Sequence, residues 1–292
     1  YDKDPSVLNQ IDTSPQLVVA LLRQLVNVVG VNQSDITIGD PGRAYSNHIY
    51  DLPHSEFPNV RYLDFQGGSG RTKALASTTQ FRWSTPAANG KLPDCVPAPY
   101  AEMDYFINLA ILKGHSSGIT VCGKNLYGAL YNRNPDGSLP NQPGVGVRNF
   151  YDMHLSLPNP EWSPGTGKYR AVVDLMGSKV LGDKTLLCLI DGLFAGYYWE
   201  SVPRRWLSSP FAGDNGWPSS IFASQDQVAI DSVAYDFLLA EWPSVVTGGV
   251  GAPGGAAPGA KRLFAHTPSG EGQAAAAICF RENGEKRLYH RG

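Results

Sequence analysis

The segment Tyr105-Phe-Ile-Asn-Leu-Ala-Ile-Leu112 is an almost unbroken apolar stretch, and it stops abruptly at Lys113-Gly-His115. A half-exposed strand alternates apolar and polar residues, whereas a continuous apolar run is typical of a strand buried on both faces of a parallel sheet. The segment therefore predicts a buried strand of such a sheet, with charged residues at its carboxyl end.

Two helices are indicated by apolar residues at helical spacing. The first spans residues 14–30, with Ser14 as its N-cap, Pro15 at the first helical position and a glycine at its end. The second spans residues 225–242, where Ser224 as N-cap and Gln227 three residues later form a capping-box pattern. Shorter apolar runs lie at residues 35–39, 60–64, 119–122 and 186–190. This order predicts a single α/β domain with a mainly parallel sheet, flanked by helices and with long irregular loops.

Two further regions are rich in glycine and proline. Residues 131–168 are expected to form an ordered surface loop around a site, or a lid. All 18 aspartates lie at or before Asp236, and a Gly/Ala/Pro stretch occupies residues 248–260. We therefore expect residues 1–245 to form the α/β domain. Residues 246–292 are expected to be a disordered tail or a sequence artefact such as a frame-shifted end.

The composition excludes several classes of protein. The 292 residues carry a formal net charge of -2, and only 17% of them are charged. This balance argues against a basic nucleic-acid-binding protein and against an acidic disordered chain. The longest apolar runs fall far short of the ~18 residues that would span a membrane. We expect a soluble protein without a membrane span. Because residue 1 is tyrosine, we expect the natural start to be missing, through processing or because the chain is a fragment.

The four cysteines, Cys95, Cys122, Cys188 and Cys279, are isolated and form no C-x-x-C pair. This spacing excludes a Cys-ligated zinc site or an iron–sulfur cluster as a local motif. Cys122 and Cys188 lie inside apolar runs, where a buried small hydrophobic residue is the simplest interpretation. We expect no iron–sulfur cluster, and the missing cysteine motifs disfavour a role as a redox partner.

Polar or charged side chains directly follow the apolar runs. The residues concerned are Asp40, Lys113, His115, Lys124, Asn125, Asp191, Ser224 and Asp226. The carboxyl ends of parallel strands share one edge of an open sheet, where ligands bind, so these side chains are expected to meet in one crevice. The crevice would combine two ammonium groups, an imidazole and several carboxylates.

Structural interpretations remain open for these residues. A lysine that leaves a strand commonly just reaches solvent, and His115 or Asn125 could serve only to hold a loop or a turn. Asp40-Pro-Gly42 and Asp191-Gly192 are also ordinary turn sequences.

The second predicted helix carries a further aspartate. Ser224 and Asp226 are adequately explained as the start of that helix. Asp231 is more unusual, because aspartate disfavours helix interiors. It lies about 140° round the helix from Asp226, so the two side chains would not share a face. We expect one of them to point at the crevice and the other to brace the fold or face water.

Four segments together resemble the domain of unknown function 362 family. They are residues 107–115, 120–128, 186–192 and 223–231, and the opening Ile11-Asp-Thr-Ser-Pro-Gln helix matches as well. Some relatives carry an iron–sulfur module, whose cysteine spacing is absent here. Relatives with a segment like Tyr131-Asn-Arg-Asn-Pro-Asp136 resemble exported proteins. The resemblance therefore implies an exported or periplasmic protein, and it implies no particular reaction.

Two functions are compatible with these residues. The first is an enzyme acting on a small anionic molecule, a phosphate or a carboxylate. Lys113 and Lys124 would hold the anion, with His115 as acid or base. Asp191 or Asp226 would place a divalent cation or orient the histidine. Further ligand-binding groups would be Asn125, Asp40 and Ser224. The alternative is an exported, non-catalytic protein that uses the same crevice to hold a small ligand.

Overall fold

A computed structural model describes residues 11–84, 93–115, 118–131, 171–196, 202–213, 215–243 and 277–280. The loop predicted at residues 131–168 lies outside the described residues except for Tyr131. The predicted tail lies outside them except for residues 277–280.

Six α-helices and ten β-strands lie in the described ranges. The helices are α1 (Pro15–Arg23), α2 (Asn47–Glu56), α3 (Ala98–Ala101), α4 (Cys122–Asn125), α5 (Ala171–Met176) and α6 (Gln227–Glu241). The strands are β1 (Ile36–Asp40), β2 (Arg61–Asp64), β3 (Thr72–Lys73), β4 (Ala76–Gln80), β5 (Cys95–Pro97), β6 (Tyr105–His115), β7 (Gly118–Thr120), β8 (Thr185–Gly196), β9 (Ser220–Ser224) and β10 (Ala277–Phe280).

Eight strands form one sheet in the order β3-β2-β1-β10-β6-β8-β9, and β7 pairs with the end of β6. β1 pairs parallel with β2, β2 with β3, and β6 with β8, whereas the other four pairings are antiparallel. An α/β fold is therefore confirmed, and the sheet is mixed where the sequence predicts a mainly parallel one. β7 returns from β6 through a two-residue connection, which only an antiparallel pair allows. β4 and β5 form a separate two-stranded sheet.

Strand β6 is buried on both faces, as its apolar sequence predicts. Leu109 and its register partner Leu189 of β8 pack in a core cluster with α1 and α2. The next pair, Ala110 and Ile190, packs in a cluster with α6. Helices therefore cover the two faces of the sheet, with α1 and α2 on one side and α6 on the other.

The first helix begins and ends where the sequence predicts. Ser14 has extended backbone angles, and Pro15 occupies the first turn, where its missing N–H breaks no helical hydrogen bond. A π-helical turn, Gln24–Val29, continues α1. Gly30 ends it with a φ of 85°, a conformation that glycine adopts without strain.

Four residues of the predicted tail form an inner strand. Ile278 of β10 lies opposite Ile38 of β1 on one side and opposite Ile107 of β6 on the other, and both pairings are antiparallel. The remaining residues of the tail lie outside the described ranges. The predicted domain boundary between residues 245 and 246 stays a prediction.

Candidate functional site

The carboxyl ends of β1, β2, β6 and β8 lie at the same edge of the sheet, because these strands run in one direction. Asp191 lies opposite Ile111, two residues before Lys113 of β6. Asp40 ends β1, opposite Asp64 of β2. The structure therefore places three predicted site residues, Asp40, Lys113 and Asp191, at the predicted edge.

A cavity of about 620 Å³ opens at this edge, beside the start of α1, and we call it the edge cavity. Four of its five polar residues, which we call the polar wall, are Asp12, Ser14, His48 and Asp191. Its apolar wall consists of Ile111, Phe194, Val202, Pro203 and Trp217. Ile11, Pro15 and Gln16 complete the lining. This volume falls in the range of cavities that bind small molecules.

Asp191 is a buried carboxylate held by two backbone groups. Its Oδ2 accepts a hydrogen bond from the Ser14 N–H at 2.8 Å, and its Oδ1 accepts one from the Leu193 N–H at 3.1 Å. Burial raises the pKa of Asp191, while the two hydrogen bonds oppose this shift. Asp191 therefore lines the cavity as a fixed carboxyl group that retains a proton at higher pH than an exposed aspartate.

Lys113 lies fully buried behind the lining of the edge cavity. Its Nζ donates a hydrogen bond at 3.2 Å to the carbonyl oxygen of Ile11, which lines the cavity. Burial lowers the pKa of Lys113 to about 7, the nearby Asp12 opposes the shift, and Arg43 adds to it. This lysine does not reach solvent, so the solvent-exposed interpretation of it is wrong.

Asp40 and Tyr45 are buried close to each other, and Tyr45 is also close enough to Asp12 to feel its charge. Asp40 Oδ1 accepts a hydrogen bond from the Gly42 N–H at 3.0 Å, so Asp40 shapes the Asp-Pro-Gly turn as its sequence predicts. The Tyr45 hydroxyl is fully buried and has no hydrogen-bond partner among the described residues. Burial raises the pKa of Tyr45, and the negative charges of Asp40 and Asp12 add to the shift.

Lys124 and Asn125 lie on α4, which packs against the opposite face of the sheet from α1. The Asn108 side chain of β6 donates a hydrogen bond to the Cys122 carbonyl at 2.8 Å, and Cys122 belongs to the core cluster of α6. Asn125 Nδ2 donates to Asn108 Oδ1 at 2.6 Å and to the Leu109 carbonyl at 3.2 Å. Asn125 therefore ties α4 to β6. Lys124 is buried and does not line the edge cavity.

Ser224 and Asp226 lie at the other edge of the sheet, so their predicted placement beside Asp191 is wrong. β9 runs antiparallel to β8, and Ser224 pairs with Cys188 near the start of β8. Asp226, rather than Ser224, is the N-cap of α6, and its carboxylate accepts hydrogen bonds from the N–H groups of Val228 and Ala229 at 2.9 Å.

Asp231 braces the fold, which is one of the two roles expected for the aspartates of this helix. Its two carboxylate oxygens accept hydrogen bonds from the backbone N–H groups of Cys122 and Gly123, at 2.9 and 2.7 Å. Burial raises the pKa of Asp231 to about 7, against the effect of these two hydrogen bonds. The carboxyl group therefore caps α4 from α6.

The two aspartates predicted to place a divalent cation are too far apart to share one ion. Gln225, next to Asp226, donates a hydrogen bond to the carbonyl of Leu186, five residues before Asp191 in β8. Five residues of strand span ~16 Å. In the ranges that the structure describes, no group of three or more His, Cys, Asp or Glu side chains could hold a metal ion.

His115 ends β6, where its backbone pairs with Gly118 of β7. Its side chain lies outside the described part of the structure, so its role as acid or base stays a prediction.

The sequence reasoning missed three residues, Asp12, His48 and Tyr45. None of them follows an apolar strand, which is the signal used to find the others. Asp12 lies two residues before the N-cap Ser14, and His48 lies two residues after Ser46, the N-cap of α2. A rule that also collected polar residues around helix starts would have found Asp12 and His48.

None of the helices in the described ranges is long and apolar enough to cross a membrane. No curated protein and no solved structure matches the chain. A family model does match, over residues 8–236, a range that includes the polar wall and Lys113. This match confirms the resemblance seen in the motifs, and the chain belongs to the family described as Domain of unknown function (DUF362).

Proposed function

We propose that this protein is an enzyme that carries out acid–base chemistry on a small anionic molecule, a phosphate or a carboxylate, bound in the edge cavity. The observation that carries the proposal is the pair of Asp191 and Lys113. One is a buried carboxyl in the polar wall, and the other is a fully buried ammonium behind the cavity lining.

The two groups have pKa values that burial shifts toward each other. The pKa of Asp191 is raised, and that of Lys113 is lowered to about 7. Groups that exchange protons near neutral pH are tuned in this way in enzymes. Burial of the Lys113 amine disfavours its charged form, and the hydrogen bond to the Ile11 carbonyl offsets this only in part. Asp191 is the group that would exchange a proton with the ligand, because it lines the cavity.

The charges around the polar wall favour an anion. The positive charge of Arg43 lowers the pKa of Lys113, so the two side chains lie near each other, and both are buried at this edge. Their positive charge attracts a phosphate or a carboxylate. The carboxylates of Asp12 and Asp191 would repel it. Burial raises the pKa of Asp191, so its protonated form, which can donate a hydrogen bond to an anion, persists to a higher pH than that of an exposed aspartate.

The alternative proposal is an exported, non-catalytic protein that holds a small ligand in the same cavity. One observation favours it: both oxygens of Asp191 already accept backbone hydrogen bonds, so the carboxyl is well fixed for binding. Export itself stays a proposal that rests on the family resemblance.

The experiment separates binding from turnover. Inorganic phosphate and acetate are titrated by calorimetry against the wild type and the Lys113→Met and Asp191→Asn variants. Phosphate and carboxylate metabolites are then incubated with the protein in D₂O and followed by NMR for deuterium uptake or new products. The matched controls are Lys184→Met, which removes a lysine bonded to the Ala101 and Met103 carbonyls away from the cavity, and Asp226→Asn at the other edge.

We expect Lys113→Met to weaken anion binding by about tenfold or more, which is about 1.4 kcal/mol, and both controls to bind as the wild type does. Asp191→Asn keeps a hydrogen-bond donor and carries no negative charge, so it should bind the anion at least as well as the wild type but lose deuterium uptake or product formation. Anion binding that Lys113→Met leaves unchanged would overturn the proposal. Binding without deuterium uptake or product would favour the non-catalytic alternative.

A further inference from the structure

We infer that the ligand of the edge cavity is amphipathic, with a phosphate or carboxylate group at the polar wall and an aromatic or similarly bulky apolar body against the apolar wall. The inference rests on the proposed function and names the class of its substrate.

The edge cavity is larger than a phosphate or acetate ion requires. Its volume of about 620 Å³ is in the range of sites for ligands of drug size. A phosphate or acetate ion occupies only a few times the ~30 Å³ share of a water molecule in the liquid, so it would leave most of the space unfilled. The remaining space of the cavity therefore has room for a larger ligand body attached to the anionic group.

Apolar side chains are exposed to solvent on one side of the edge cavity. Phe194 is 49% exposed and Val202 is 51% exposed, although both are large hydrophobic residues. Single exposed hydrophobic residues are common, but these two line the same cavity together with Trp217. An apolar ligand body that covers them removes their surface from water.

Two aromatic rings of the apolar wall already pack against each other. The rings of Phe194 and Trp217 meet edge to face, with centroids 5.2 Å apart and planes at 81°. The Arg205 guanidinium lies 5.6 Å from the centroid of the Trp217 ring, within the range of a cation–π contact. Fixed rings lose little freedom when a ligand packs on them, which favours binding of another ring.

The polar wall and the apolar wall meet in one cavity. Asp191 and Phe194 are three residues apart in the same strand, and Ile111 of the apolar wall lies directly opposite Asp191. A ligand that contacts Asp191 through a charged group therefore has its remaining atoms beside the apolar wall.

The test compares anions with and without a ring. Calorimetry measures the affinities of acetate against phenylacetate and of inorganic phosphate against phenyl phosphate. The proteins are the wild type and the Trp217→Ala and Phe194→Ala variants. Leu207→Ala is the control, because Leu207 is 86% exposed and does not line the cavity. The Trp217→Phe variant keeps an aromatic ring at this position. It shows whether a loss of binding in Trp217→Ala comes from the missing ring or from a loss of fold.

We expect the ring to increase affinity by about tenfold or more in the wild type, and each alanine variant to lose most of that gain. The affinities of acetate and inorganic phosphate should stay within about twofold in these variants, and Trp217→Phe should keep most of the gain.

The outcomes distinguish the two proposals. Equal affinities with and without the ring, or a gain that the alanine variants retain, would overturn the inference while the proposed function stands. Absence of binding for all four anions would overturn the proposed function and the inference with it.

Discussion

The Oδ2 atom of Asp191 accepts a hydrogen bond from the backbone N–H of Ser14 at 2.8 Å, across 177 positions of sequence. The bond fastens the segment before α1 to β8, and it places Asp12, Ser14 and Asp191 around one cavity. The carboxylate that holds the start of α1 is therefore also the group available to a ligand. A change at Asp191 should affect both the stability of the fold and the proposed activity.

Replacing Asp191 with asparagine tests this double role. The amide keeps one acceptor oxygen, so one of the N–H groups of Ser14 and Leu193 loses its partner. We expect the free energy of unfolding to fall by about 1–3 kcal/mol in urea denaturation, and we expect proton exchange with the ligand to be lost while anion binding is retained. Asp226→Asn is the matched control, because asparagine serves as an N-cap as well as aspartate does. Equal effects in the two variants would contradict a special role for Asp191.

Lys113 predicts a particular pH dependence of stability. Its pKa is about 7 in the folded protein, against 10.5 for an exposed lysine such as that of the unfolded chain, so the unfolded chain binds more protons between these values. The buried lysine therefore destabilises the fold most at and below about pH 7, and this cost falls as the pH rises toward 10.5. Over this window the full change in the free energy of unfolding is on the order of 5 kcal/mol.

The Lys113→Met variant removes this titration while filling a similar volume. We expect urea denaturation at pH 7, 8 and 9 to show a rising free energy of unfolding in the wild type and a flatter profile in the variant. At pH 7 the variant should be at least as stable as the wild type, because the cost of a buried amine is gone. The same slope in the variant as in the wild type would show that another group titrates; Lys184→Met serves as the comparison.

Tyr45→Phe should stabilise the protein. The Tyr45 hydroxyl is fully buried without a hydrogen-bond partner among the described residues, and burying an unsatisfied hydroxyl costs about 1–3 kcal/mol. We expect an increase in the free energy of unfolding of about 1 kcal/mol, measured in urea at pH 7. A loss of stability would mean that the hydroxyl has a partner in solution, and a ligand titration with both proteins would show whether that partner is the bound molecule.

The start of α6 can be tested with two alanine variants. Asp226 accepts hydrogen bonds from two N–H groups of the first turn, whereas the Ser224 hydroxyl accepts only that of Asp226. Asp226→Ala should therefore lower the free energy of unfolding by about 1 kcal/mol, within the 0.5–2 kcal/mol of N-cap replacements. Ser224→Ala should cost less in the same thermal or urea measurement. A larger loss of stability in Ser224→Ala than in Asp226→Ala would instead identify Ser224 as the N-cap.

The elements that could be predicted from sequence are those with strong local patterns. The run at residues 105–112 predicted β6, and Pro15 with Gly30 predicted the limits of the first helix, because these signals act over a few neighbouring residues. Strand direction has no such local signal. The antiparallel pairing of β9 with β8 moved Ser224 and Asp226 to the other edge, since direction depends on how the chain returns to the sheet.

The residues of the candidate site also divide into those that a local sequence pattern predicts and those that depend on how the chain packs. Lys113 and Asp191 follow the apolar positions of long strands, so both were found at the correct edge. Asp12 and His48 lie beside helix starts rather than after apolar strands, and they reach the cavity through the packing of α1 and α2, so the strand-end pattern does not identify them. Lys124 was grouped with Lys113 because both follow apolar runs, but α4 packs on the opposite face of the sheet.

Strand β10 provides the sharpest test of the chain as a whole, because the sequence predicts that residues after 245 are a tail or an artefact. Ala277–Phe280 lies between β1 and β6, so removing residues 246–292 leaves the facing N–H and C=O groups of two inner strands without partners. We expect the shortened chain to lose several kcal/mol of stability and to aggregate through the exposed strand edges. Ile278→Pro in the full chain should destabilise in the same direction, because proline cannot donate to the ladder of an inner strand. A shortened protein as stable as the full chain would instead place the domain boundary at residues 245 and 246.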